Sequence, residues 1–427
     1  MKPLLQMCGI FLFILLVTTP VAALLSGTDI PFYSPHITED ESGNPYLTYS
    51  EPFNLDRDRI VWQTARLTPS PTKYISSTIW MMNMSDGETR ILATTHSPDH
   101  SYRVDTPFGL AGEHVVWSEN STIFLYNQAT GETSALTPDE ISVEDPSLMR
   151  DNQYPVISGD HVAWIRVQIY PITMYEIALF NLTSQARRVI HTGPGKISTL
   201  SMDGSRIVWS DDRNEPGSGD IYLFDLDLNE EIPLSTARHS QYCPEISGDY
   251  VVWRDFRDGN PATYLYNLTS GTEYRISRDF FNAYAQQISG DLIAWKENSI
   301  FDTRDEPSGS IIVYSISSGA REVLPISTEF PRLFDIDGNR ILWASYGEDP
   351  KDKLKKDGYI HLFVINTPNL DPVPELTPQS DGFRNHTLTP EKTASPTPTH
   401  SSPGPAVPLA VGSLLLFTGM WCQYRRG

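Results

Sequence analysis

Three observations predict an all-β chain, folded as a β-propeller of four-stranded antiparallel blades. An apolar segment ending in Trp occurs seven times, two further apolar runs follow each copy, and tight-turn residues separate the runs. The copies are RDRIVW, GEHVVW, GDHVAW, GSRIVW, GDYVVW, GDLIAW and GNRILW. They end at Trp62, Trp117, Trp164, Trp209, Trp253, Trp295 and Trp343, at spacings of 42 to 55 residues.

Each element of a repeat has its own reason. The Trp run and the run after it (IFLYN, IALFN, IYLFD, TYLYN) hold neighbouring residues that are both apolar, which fits strands covered on both faces. A weaker third run follows, such as TEYRIS, and a short strand such as QYCPEI precedes the SGD turn. SGD and TSGT have the composition of tight hairpins. Sheets of this length, covered by their own copies, pack radially as blades, with each Trp as a wedge between neighbours. Seven blades is the reading; six or eight would fit the same spacing. The segment YLTYSEPF (46–53) either completes the last blade or forms the inner strand of the first.

The stretch PEISGDYVVWRDFRDGNPATYLYNL (244–268) resembles the WD40-like repeat of the TolB type, and the likeness extends over most of residues 45–377. Trp stands where that family has Phe, and the Pro of its SPDG turn is missing. The family includes periplasmic scaffolds, propellers attached to peptidases and surface proteins, so the resemblance implies fold more than function.

The ends of the chain read differently. Residues 1–23 have one Lys, an apolar run from Leu4 to Val17 and small residues up to Ala23, the pattern of a secretory signal peptide. The propeller is expected over 24–377 and a Pro/Ser/Thr-rich stalk over 378–405. Residues 406–427 form an apolar run with a basic end, a membrane anchor or sorting segment. Stalk, Pro403-Gly404-Pro405, apolar run and Arg tail together resemble the archaeal PGF-CTERM sorting signal, with Pro405 where that signal has Phe. The resemblance implies an extracellular, surface-anchored archaeal protein.

The charge is acidic, 53 Asp and Glu against 32 Lys and Arg for a net −21, which argues against nucleic acid as a partner. Of three cysteines only Cys243 falls in the folded body, so no internal disulfide framework is expected. No G-x-S-x-G, H-E-x-x-H or Cys/His cluster occurs.

The turns after the first and third strands are short and lie on one face. The other face carries long, irregular connections, including 63–77, 137–153, 211–220, 296–310 and 345–358, and recognition is expected there. Near that rim an acid follows Trp by two residues in four repeats: Glu119, Asp211, Asp255 and Glu297. Arg213 and Arg257 accompany two of them. These six are the candidate binding residues, either as a ring round the channel mouth or as strand-end ion pairs between blades. No cofactor is expected, although Ca²⁺ could use the oxygens of Asp211, Asp212, Asn214 and Asp220.

Asn83, Asn181 and Asn267 are sequons at one repeat position, shared by Asn127, Asp225 and Ser315, where a short polar side chain would cap the next turn. Asn120 and Asn385 are the better glycan acceptors. The function expected is non-catalytic surface binding, adhesion or scaffolding, with an envelope protein or glycan as partner. The alternative is a carbohydrate-active enzyme, lyase or glycoside hydrolase, using the same face.

Truncation at Ser402 should release a folded protein into the medium with its melting temperature unchanged, because the stalk adds no apolar surface to a core. A truncated chain that stays with the cells would place the attachment elsewhere.

Overall fold

The computed structural model describes residues 26–32, 36–39, 45–67, 74–96, 104–138, 150–168, 172–299, 309–324, 332–349 and 352–364. The signal-peptide, stalk and C-terminal readings, and Asn385, lie outside these residues.

The described residues are strands and turns, with no helix, in seven antiparallel sheets. β1 (Ser26–Phe32) belongs to the last sheet. The first blade holds β2 (His36–Glu39), β3 (Pro45–Asp56), β4 (Arg59–Leu67), β5 (Tyr74–Asn83) and β6 (Thr89–His96). The second holds β7 (Val104–Ala111), β8 (His114–Glu119), β9 (Thr122–Asn127) and β10 (Glu132–Ala135). The third holds β11 (Arg150–Ser158), β12 (His161–Gln168), β13 (Met174–Asn181) and β14 (Arg187–Gly193). The fourth holds β15 (Ile197–Asp203), β16 (Arg206–Glu215), β17 (Ser218–Asp225) and β18 (Glu230–Ser235). The fifth holds β19 (Gln241–Ser247), β20 (Tyr250–Asp255), β21 (Ala262–Asn267) and β22 (Thr272–Arg275). The sixth holds β23 (Phe281–Ser289), β24 (Leu292–Ser299), β25 (Ser310–Ser315) and β26 (Arg321–Val323). The seventh holds β27 (Arg332–Asp337), β28 (Arg340–Asp349) and β29 (Asp352–Val364), and β1 pairs with β29 to complete it.

The segment 46–53 is therefore inner strand, within β3, and the ring is closed by β1, which carries no repeat signature. The inner strands β3, β7, β11, β15, β19, β23 and β27 follow one another round the ring, with β27 against β3.

The core is divided among the seams. Seven apolar clusters each join two neighbouring blades, and Leu55, Ile60, Phe334, Leu342 and Ala344 join the seventh to the first. Each repeat Trp packs against the blade before it, for example Trp253 with Val208, Ile221 and Leu223. Six of the seven Trp are buried; Trp62 is half-buried and stacks on Trp80, ring centroids 6.2 Å apart.

The SGD turn has two roles. Its Gly takes positive φ, +54° to +57° at Gly112, Gly159, Gly204, Gly248, Gly290 and Gly338, and Arg57 takes +50° in the first blade. The preceding side chain accepts the N–H of the corresponding turn residue one blade on. Ser158 Oγ receives Gly204 N at 2.9 Å, Asp203 Oδ2 receives Gly248 N at 2.6 Å and Ser247 Oγ receives Gly290 N at 2.9 Å. Ser289 Oγ receives Gly338 N at 2.8 Å, and Asp337 Oδ2 receives Arg57 N at 2.7 Å across the closing seam.

At the turn after the third strand, the shared short polar residue caps as expected. Asn83 Oδ1 accepts Ser85 N at 3.0 Å, Asn127 Oδ1 accepts Ala129 N at 2.9 Å and Asn181 Oδ1 accepts Ser184 N at 2.7 Å. Asp225 and Asn267 repeat the bond at 2.9 Å each, and Ser315 Oγ accepts Ser318 N at 3.3 Å. Asn120, in contrast, is exposed on the tight β8–β9 turn at φ +51°. Cys243 is buried, with Arg254 Nη2 3.6 Å from its Sγ.

Trp253→Ala should lower stability by about 3–5 kcal/mol, as truncation of a buried aromatic does. Denaturant melts of both proteins measure this, and an unchanged midpoint would contradict the wedge assignment.

Candidate functional site

Strand alternation decides where the candidate acids point. A residue two after the Trp shares its face, so it enters the seam with the preceding blade rather than the mouth of the channel. Trp209 Nε1 donates to Asp211 Oδ2 at 2.8 Å, Trp253 Nε1 to Asp255 Oδ2 at 2.8 Å and Trp295 Nε1 to Glu297 Oε1 at 3.0 Å. All three carboxylates are buried. Glu119 is half-buried and does not take the Trp117 indole N–H, which has no partner.

Arginines neutralise these carboxylates. Arg213 Nε donates to Asp211 Oδ1 at 2.8 Å, its Nη1 pairs with Glu231, and its guanidinium lies 3.8 Å from the Tyr222 ring centroid. His191 of the preceding blade reaches Glu231 Oε2 at 2.9 Å. Arg257 Nη2 donates to Asp255 Oδ2 at 2.6 Å and to Ser235 Oγ of the preceding blade at 3.0 Å, while Nη1 pairs with Glu273. Glu297 receives Arg321 Nη2 at 2.6 Å and Arg278 Nε at 3.0 Å.

The two distal acids differ. Burial pushes both up, but at Glu231 hydrogen bonds from His191 and Arg213 outweigh it and hold the carboxyl below its ordinary value. At Glu273 burial prevails over Arg257, and the carboxyl is raised. Five of the six candidate residues thus form three indole–carboxylate–guanidinium stations stitching blades 3 to 6. The carboxylates of the 211–220 loop are also engaged: Asp212 accepts Lys196 N at 2.6 Å and Gly217 N at 2.8 Å, and Asp220 accepts Asn214 Nδ2 at 2.7 Å.

A second acidic locus lies at the inner ring. Three residues before each SGD-type turn the inner strands carry Asn54, Gly109, Val156, Ser201, Glu245, Gln287 and Asp335. Asp335 Oδ2 accepts Leu55 N and its Oδ1 accepts Ile336 N, both at 2.8 Å. Glu245 bonds Ser201 and lies close enough to Asp335, two blades away, for their charges to interact. Burial pushes Glu245 up to about 8, with the Asp335 charge adding to it and the Ser201 bond opposing it. Burial likewise pushes Asp335 up to about 7, reinforced by Asp337 and Asp56 and opposed by the two backbone N–H donors. Both side chains nonetheless keep some accessible surface, as groups deep in a ring but lining its bore would. In the same column Asn54 Oδ1 is buried without a partner.

Sequence reasoning singled out neither Glu245 nor Asp335. The available signal was this column of the repeat alignment, polar in five of seven copies where an inner strand packed only on apolar neighbours would not be.

No family model matches the sequence, and no curated protein matches it. Solved structures do. A Mycobacterium tuberculosis puromycin-hydrolysing peptidase, 13% identical with a TM-score of 0.54, is matched over 70% of this chain and 50% of its own. The Pyrococcus horikoshii acylaminoacyl peptidase, also 13% identical with a TM-score of 0.53, is matched over 74% and 51%. A TolB from Agrobacterium tumefaciens, described as putative, is 15% identical with a TM-score of 0.42, over 68% and 99%. The chain spans about half the length of the two peptidases, and at this identity the likeness is one of fold alone.

The raised carboxyls make stability depend on pH. In the unfolded chain both titrate near pH ~4. Between there and pH 7 to 8 the folded protein holds more protons, so stability is fully present below about pH 4 and falls as pH rises through the folded values. Asp335→Asn should flatten that slope in thermal melts at fixed ionic strength between pH 4.5 and 8.5. An identical slope in the variant would remove Asp335 from the account.

Proposed function

We propose that this chain is a non-catalytic, surface-displayed propeller that binds an envelope protein or glycan through its irregular loop face. The observation that carries the reading is the engagement of Asp211, Asp255 and Glu297. Each accepts its own Trp indole and holds arginine inside a blade seam, so the acids nearest that rim serve the scaffold. What the face offers a partner is its loops and their exposed apolar side chains. Ile172 in the β12–β13 connection is 68% exposed, and Phe280 in the β22–β23 connection is 63% exposed at φ +64°. The signal peptide, the anchoring segment 406–427, the archaeal origin and glycans at Asn120 and Asn385 complete the proposal, which requires no cofactor.

Full-length protein should bind isolated envelope fractions or members of a purified glycan panel, and Phe280→Ala with Ile172→Ser should weaken binding without changing the melting temperature. Wild-type and variant binding that are equal would sink the assignment to this face.

The enzymatic reading keeps one specific support, the interacting Glu245 and Asp335 carboxyls. A carboxyl raised to about 8 is protonated at neutral pH and can act as a general acid. Release of reducing ends or unsaturated products from a polysaccharide panel, lost in Glu245→Gln, would replace the binding reading with this one.

A further inference from the structure

The sixth blade carries a group of polar side chains on the face opposite its Trp–acid–Arg station. Residues one after the Trp face the following blade, and in two blades that position closes the seam. Ser118 Oγ donates to Asn152 O at 2.5 Å, and Ser210 Oγ donates to Gln241 O at 2.7 Å. In the sixth blade the position is Lys296. Its register partners Tyr284 on β23 and Ile311 on β25 share its face, and Ile311 and Ala294 belong to the core joining blades 6 and 7.

Two residues nearer the irregular rim on the same face is Asn298, directly opposite Asn282. Asn282 Oδ1 and Asn298 Oδ1 are buried without hydrogen-bond partners. Gly309, just before β25, leaves room for both neighbours: a Cβ there would meet Asn298 Oδ1 and stand 2.6 Å from Lys296 Cε. Among the described residues Lys296 has no ion-pair partner and no carboxylate opposes the burial that lowers its pKa. Arg332 opens β27 on the facing blade, with its guanidinium 5.4 Å from the Phe334 ring centroid.

A half-buried ammonium with no carboxylate partner among the described residues calls for an anionic partner, and two desolvated amide oxygens call for donors. From this juxtaposition we infer that Lys296, Asn298 and Asn282 form a binding site for an acidic sugar, whose carboxylate meets Lys296 and whose hydroxyls donate to the two asparagines. The inference rests on the reading of the irregular face as the binding face and names a ligand class for it.

The test uses D-glucuronate on the full chain, with D-glucose and inorganic phosphate as the comparison probes. Calorimetric titration should show saturable glucuronate binding, with glucose and the Lys296→Met protein each weaker by about tenfold or more. As a measurement independent of any variant's folding, glucuronate should slow acylation of Lys296 by an amine-reactive reagent, followed by mass spectrometry. Unchanged Lys296 labelling overturns the site, and protection by phosphate equal to that by glucuronate overturns its assignment to a sugar. If the chain still binds envelope material while glucuronate fails, only this site falls; if both fail, the binding-face reading falls with it.

Discussion

The ring depends on a hydrogen bond between blades, from the N–H of a turn residue at positive φ to the Ser or Asp that precedes the corresponding turn one blade earlier. A four-stranded sheet of this size cannot cover its own faces, so apolar burial draws blades together but leaves their level along the seam loosely specified. The turn-to-turn bond sets that level, and it recurs at five joints, from the third blade round to the first. Where it is missing, substitutes appear. Asp56 pairs with Arg59 at 2.5 Å, and Arg59 reaches Gly112 O. Ala111 has no acceptor, and the next joint relies on its apolar core, in which Trp164 is buried, and on Ser118 Oγ donating to Asn152 O.

With blade level fixed, each Trp has a defined place against the preceding blade, and the acid two residues on has a defined fate. It enters the same seam, where water is scarce, and a lone carboxylate there would be costly. Its indole donor and guanidinium partner follow from that cost. The stations in blades 4, 5 and 6 are therefore consequences of the wedge geometry, and in the second blade, where Glu119 is only half-buried, Trp117 lacks the bond. The same alternation aims the next-numbered residue at the following blade, where Ser118 and Ser210 bond across the seams and Lys296 has no ion-pair partner among the described residues.

What the sequence made legible was periodic and local. Trp columns, SGD turns and capping side chains recur at fixed offsets, so seven sheets and their turns could be read from the chain. β1 could not, because its pairing with β29 joins residues over three hundred positions apart and leaves no local pattern in SGTDIPF. The candidate acids were found by recurrence, but recurrence cannot separate scaffold from site: a residue needed at every seam repeats as faithfully as one needed by a ligand. Asp211, Asp255 and Glu297 belong to the first kind.

That distinction argues for looking at departures from the repeat. Glu245 and Asp335 occupy a column otherwise held by Asn, Gly, Val, Ser and Gln, and Lys296 a column where other copies carry Ser, Gln, Ile, Arg or Ala. Each places an ionisable group where its siblings place a neutral or differently paired one, and each is held away from its ordinary titration range by burial. A scaffold position tolerates a desolvated charge poorly, because single-partner burial costs more than an apolar replacement. Ionisable groups held off their ordinary range at non-repeating positions are for that reason better places to look for a site than the repeating acids, which the seams of the ring already employ.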